Sequence, residues 1–146
     1  MVTEVPSLKF EGVDSKDQDL LILKVQEYLE SFWLHDEVII YIGKAGTSNT
    51  IYNRIKNFKK HQLGCKRPHR GGHWLKTLSK STQNELVVYW AITIDAEKIE
   101  TKLLEKFSKN NQKNIPFANL EYKENGIRKR KQTKMRETVK KCKSFY

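Results

Sequence analysis

Val38-Ile39-Ile40-Tyr41-Ile42-Gly43-Lys44-Ala45-Gly46 is the stretch on which the fold turns. Four of its first five residues are β-branched and the fifth is aromatic, which predicts a short buried strand over residues 38–42, ended by Gly43. A second run, Glu85-Leu86-Val87-Val88-Tyr89-Trp90-Ala91-Ile92-Thr93-Ile94, has almost no polar interruption and predicts a strand covered on both faces. The expected fold class is therefore α/β, a small central antiparallel sheet flanked by helices.

Working outward, Leu20, Leu21, Leu23, Val25, Tyr28, Leu29, Phe32 and Trp33 recur mostly at three and four, so a helix is expected from Leu20 to Trp33. Asp17 or Asp19 is its expected cap. The turn residues 46–50 end in a hydroxyl suited to capping a second helix over 51–62, with Ile51, Ile55 and Phe58 on its apolar face. Three glycines and a proline make 64–73 a loop, and Trp74, Leu75 and Leu78 suggest a short helix after it. Asp95 is a natural cap for a third long helix reaching Ser108, with Leu103, Leu104 and Phe107 as its stripe. Residues 8–13 are expected to form a short strand or packed arm, and the basic tail over 121–146 a marginal helix or an arm. The organisation expected is one compact unit: an N-terminal arm and helix over 1–37, a core over 38–120, and the tail.

Charge is distributed unevenly. Of 146 residues, 28 are Lys or Arg and 17 Asp or Glu, for a net +11. Residues 1–40 hold nine acids against three lysines, whereas residues 41–80 hold ten lysines and arginines and no acid at all. A concentrated block of this kind makes a patch, and nucleic acid is the polyanion it suits. Cys65 and Cys142 follow no disulfide pattern, and no apolar run is long enough for a membrane, so a reduced cytoplasmic setting is expected. Cys65, His69 and His73 are spaced four apart, but a zinc site would need a fourth ligand from His61, His35 or Cys142.

Glu100 stands out for chemistry. A carboxylate beside an apolar helix stripe is costly without a cation to answer it, either Arg54 or a divalent ion such as Mg2+ (or Mn2+). Arg54, beside Ile51, Ile55 and Phe58, can snorkel to solvent or aim its planar fork at a phosphate. Tyr41 is either a core aromatic with a wet hydroxyl or, if Lys44 lies close, a phenol of lowered pKa. Asn119 follows Pro116-Phe117-Ala118 and by itself reads as a turn former.

Taken in order, these residues resemble the GIY-YIG nuclease family. The resemblance rests on Tyr41-Ile42-Gly43-Lys44-Ala45, Arg54, Glu100 within Ile99-Glu100-Thr101-Lys102-Leu103-Leu104, and Pro116-Phe117-Ala118-Asn119. It spans roughly residues 38–120. The first signature triplet, Gly-Ile-Tyr, does not occur, and Phe58 stands where many members carry histidine or tyrosine. The family likeness implies a divalent-metal-dependent endonuclease that hydrolyses DNA phosphodiester bonds. Glu100 would hold the metal, Arg54 would counter charge on the phosphorane, and Tyr41 with Lys44 would take the proton from water. Asn119 would brace the site, and His73 lies in the stretch resembling the histidine-bearing connection. Lys56, Lys59, Lys60, Lys66, Arg67, Arg70 and Lys76 are the expected contacts to double-stranded or branched DNA, and a homodimer would be one source of specificity. The alternative is the same fold gripping nucleic acid without cutting it.

Overall fold

The computed structural model describes residues 8–10, 14–46, 49–61, 74–119, 121–124, 127–130 and 142–144. Helices form its framework: α1 is Ser15–Glu30, α2 Ile51–Lys60, α3 Lys80–Asn84 and α4 Ala96–Asn110. The strands are short and lie towards the ends of the chain. β1 (Leu8–Phe10) pairs antiparallel with β4 (Cys142–Ser144), and β2 (Glu121–Glu124) pairs antiparallel with β3 (Ile127–Arg130). Leu8 lies opposite Ser144 in the first ladder, and Glu121 opposite Arg130 in the second.

The caps explain where the helices start. Thr50 Oγ1 accepts the Asn53 N–H at 3.1 Å and opens α2, and Asp95 Oδ1 accepts the Lys98 N–H at 2.9 Å and opens α4. Each satisfies a backbone donor that the first turn leaves without an intrahelical partner. In α1 the N-cap is Asp14, whose side chain makes no capping bond. Asp17 lies inside the first turn, where its charge favours the positive end of the helix dipole, so neither Asp17 nor Asp19 is the cap. The stripe expected on α4 shifts as well: Leu104, Phe107 and Ser108 are buried, while Leu103 is about half exposed.

One face of α1 builds the main core. Val25 and Leu29, one turn apart, are fully buried against Trp74, Leu75, Leu78, Phe117 and Ala118. Burial of such a side chain contributes about 1.5–3 kcal/mol. Aromatic rings fasten the end of α1: Tyr28 meets Phe32 edge-on at 4.8 Å, and Trp33 meets Phe117 at 5.3 Å between centroids. T-shaped pairs of this kind place a ring's positive edge against a negative face. A smaller cluster joins Leu104 and Ile115 to the half-buried Ile42.

The expected central sheet is absent among the described residues. Neither 38–42 nor 85–94 forms a strand. The physical reason at 38–42 is specific. The Ile40 carbonyl accepts the Ala118 N–H at 2.8 Å, and both backbone groups of Ile42 bond the Asn119 side chain. Three backbone groups of the run are thus taken by the 116–119 loop. Along 87–94 the side chains of Val87, Val88, Tyr89, Trp90, Ile92 and Ile94 are exposed. The strand with two covered faces expected there does not form. The α/β fold class is therefore corrected to a helical framework with two small two-stranded sheets, and the resemblance to the sheet-based GIY-YIG fold does not hold. The basic tail differs too, since its described residues form β2, β3 and β4 rather than a helix or an arm. Among the described residues, no helix is long and apolar enough to cross a membrane.

Candidate functional site: a charged cluster beside a basic helix

Tyr41, Lys44, Arg54, Glu100 and Asn119 come together around the 41–44 segment. Asn119 is buried, and its side chain holds Ile42 from both sides: Oδ1 accepts the Ile42 N–H at 2.9 Å and Nδ2 donates to the Ile42 carbonyl at 2.8 Å. Ile42 therefore has the pair of bonds that a neighbouring strand would have offered, supplied by one amide side chain. This bracing holds the residues on either side of Ile42 in place.

Before Ile42, the Tyr41 ring folds over Gly43. A Cβ on Gly43 would stand 2.5 Å from the Tyr41 hydroxyl oxygen, so only glycine fits under the ring. The hydroxyl accepts a hydrogen bond from Arg54 Nη2 at 3.1 Å. Arg54 thus projects from α2 onto Tyr41.

After Ile42, Lys44 reaches α4. Its Nζ lies 3.1 Å from Glu97 Oε2 and 3.8 Å from Glu100 Oε2. Glu97 is the nearer partner, and it is the residue that sequence reasoning passed over. The available signal was the spacing: Glu97 and Glu100 are three apart and so share a helix face. Glu100 retains about a quarter of its side-chain exposure. Burial pushes its carboxyl above the ordinary range; the charges of Lys44 and Arg54 oppose that push, the nearby Glu97 adds to it, and the Lys44 N–H opposes it.

Chemically, this is a cluster whose charges answer one another: two carboxylates, one ammonium and one guanidinium. Among the described residues, no group of three or more His, Cys, Asp or Glu side chains is placed to hold a metal ion. Glu97 and Glu100 are turned on Lys44 instead. Together with the missing sheet, this overturns the expected metal-dependent endonuclease and its hydrolytic, metal-binding description. Glu100 has a partner in Lys44, whose charge offsets part, but not all, of its cost of burial.

Of the expected nucleic-acid contacts, Lys56, Lys59 and Lys60 lie exposed on α2, whose described side chains carry no acid. Lys76 behaves differently. It is half-buried, its Nζ sits 4.9 Å from the centre of the Phe58 ring, and burial lowers its pKa. That placement makes it a covering side chain for Phe58 rather than an outward cation. Lys66, Arg67, Arg70 and His73 lie outside the described residues, as do Cys65 and His69 of the weighed zinc spacing. Comparison with protein-family models, with curated proteins and with solved structures finds no match to this chain.

Proposed function

We propose that the protein binds the phosphate backbone of DNA through the exposed face of α2 and the basic block that continues beyond it, and holds the DNA without cutting it. The observation that carries this reading is charge placement. Residues 41–80 contain ten lysines and arginines and no acid. The two cations nearest the charged cluster, Lys44 and Arg54, are engaged with Glu97, Glu100 and Tyr41. Lys56, Lys59 and Lys60 point outward. Cations without acidic neighbours release counterions when they meet phosphates, and that release drives binding with little regard to sequence. Such a protein works in a reduced cytoplasmic compartment, in line with its two cysteines. A second copy on the same duplex would multiply the phosphate contacts.

The test is fluorescence anisotropy with a labelled 20-base-pair duplex over 50–200 mM KCl, in EDTA and again with Mg2+. The expected result is binding in both, weakening steeply with salt. Reversing Lys56, Lys59 and Lys60 to glutamate removes three phosphate contacts and lowers the slope of log affinity against log salt by about 2–3. Unchanged affinity and slope in that variant refute the reading. So does a strict requirement for Mg2+, or cleavage of the duplex.

A further inference from the structure

The exposed face of α2 carries more than charge. Tyr52, Asn53, Lys56, Asn57, Lys59 and Lys60 are all exposed, whereas Ile51, Arg54, Ile55 and Phe58 are half-buried. At 100° per residue the exposed six share one arc of about 160°. Two members of that arc are asparagines, which add nothing to attraction for phosphate through charge. Asparagine is also a poor helix former, because its short amide competes with the backbone. Neither Asn53 nor Asn57 makes a side-chain hydrogen bond among the described residues, so the helix gains no compensating contact from them. A local rule broken without structural return is what a functional surface looks like.

From this arrangement we infer that α2 enters the major groove of B-form DNA and reads base edges with Asn53 and Asn57, while Lys56, Lys59 and Lys60, all on one side of the asparagines around the helix, hold the phosphates of one groove edge. This rests on the DNA-binding reading above and adds sequence preference to it. The dimensions agree. A ten-residue helix is about 15 Å long, and the major groove, about 12 Å wide, admits a helix. Asn53 and Asn57 are about 6 Å apart along the axis, close to two base-pair steps of about 3.4 Å. An asparagine amide matches the paired donor and acceptor of adenine in that groove. Tyr52, 70% exposed and with Lys56 Nζ 5.8 Å from its ring centre, stands at the N-terminal end, where helices of this kind meet bases or backbone. The deep, narrow major groove of A-form RNA excludes a helix, so the partner is duplex DNA.

The experiment selects bound duplexes from a pool with a randomised 20-base-pair centre, then measures affinity for the selected and a scrambled duplex. The wild type is expected to enrich a short motif containing adenine and to prefer it over the scrambled duplex. Asn53→Ala/Asn57→Ala should lose roughly 10-fold of that preference for each adenine read, with the salt slope unchanged. Because alanine favours helix, the variant should melt at the same or a higher temperature, which separates lost recognition from lost folding. If the wild type binds duplexes but enriches no motif, base reading is overturned while backbone binding stands. Retention of the full preference by the double variant also overturns it. Tighter binding to an RNA duplex of the same length does so as well. Failure to bind any duplex overturns both readings.

Discussion

Replacing Asn119 by alanine removes the clamp on Ile42 and tests how the 38–44 segment is held without a sheet. Two hydrogen bonds go, at 2.9 and 2.8 Å, and with them the partners of one backbone N–H and one backbone carbonyl. A typical bond contributes about 0.5–1.5 kcal/mol net, and a buried backbone group left without a partner costs about 1–3 kcal/mol more. Ile42 is half-buried, so water recovers part of that penalty. The expected destabilisation is about 2–4 kcal/mol, read as a lowered urea midpoint with unchanged m. In a chain of this size that is a fall in Tm of roughly 6–15 °C. Asn119→Asp is the informative control. Its carboxylate still accepts the Ile42 N–H but faces the Ile42 carbonyl with an acceptor, so it should be as damaging as alanine or worse. Hydrogen exchange localises the effect: the Ile42 amide should lose protection in Asn119→Ala before the amides of α1 do. A loss below about 0.5 kcal/mol, the range of ordinary surface changes, with Ile42 still protected, would refute this account of the segment.

The Glu100 carboxyl is raised by burial, and the sign of its pH effect follows. A raised folded-state pKa contributes stability that is fully present below the unfolded value and is lost as pH rises through the folded one. Glu100→Gln should therefore melt at or above the wild-type temperature at pH 7, with the difference shrinking as pH falls through the carboxylate range. A variant that is less stable at pH 7 would show the Lys44 ion pair outweighing burial. Gly43→Ala tests the Tyr41 ring: a methyl 2.5 Å from the hydroxyl oxygen must displace it and break its bond to Arg54. The expected cost is about 1–3 kcal/mol by chemical denaturation, as for other overpacked sites. Gly43→Ala should stay costly in a Tyr41→Phe background, because the ring carbons Cε1 and Cζ stand 2.6 and 2.7 Å from the same Cβ; no cost in that background would refute the ring clash.

Local rules carried the helices. Thr50 and Asp95 cap α2 and α4 where hydroxyl and carboxylate chemistry says they should, because a cap depends on three or four neighbouring residues. The meeting of Tyr41, Lys44, Arg54, Glu100 and Asn119 was legible as a set of residues. What Glu100 answers to was not. Its partner is Lys44, already shared with Glu97, and a partner fifty-odd residues away leaves no mark in the spacing of either.

The apolar runs show most clearly where the chain's own order stops deciding. Sequence alone determined that 41–80 carries cations and no acids, that α2 has a polar face with two asparagines, and where α2 and α4 begin. Those properties belong to composition and to neighbours along the chain. Only the tertiary structure decided that 38–42 would not join a sheet. A β-branched run prefers extended backbone but does not name its hydrogen-bonding partner. Here Ala118 and Asn119 take that place, through contacts seventy-odd residues away in sequence that give the Ile40 carbonyl and both backbone groups of Ile42 partners without a neighbouring strand.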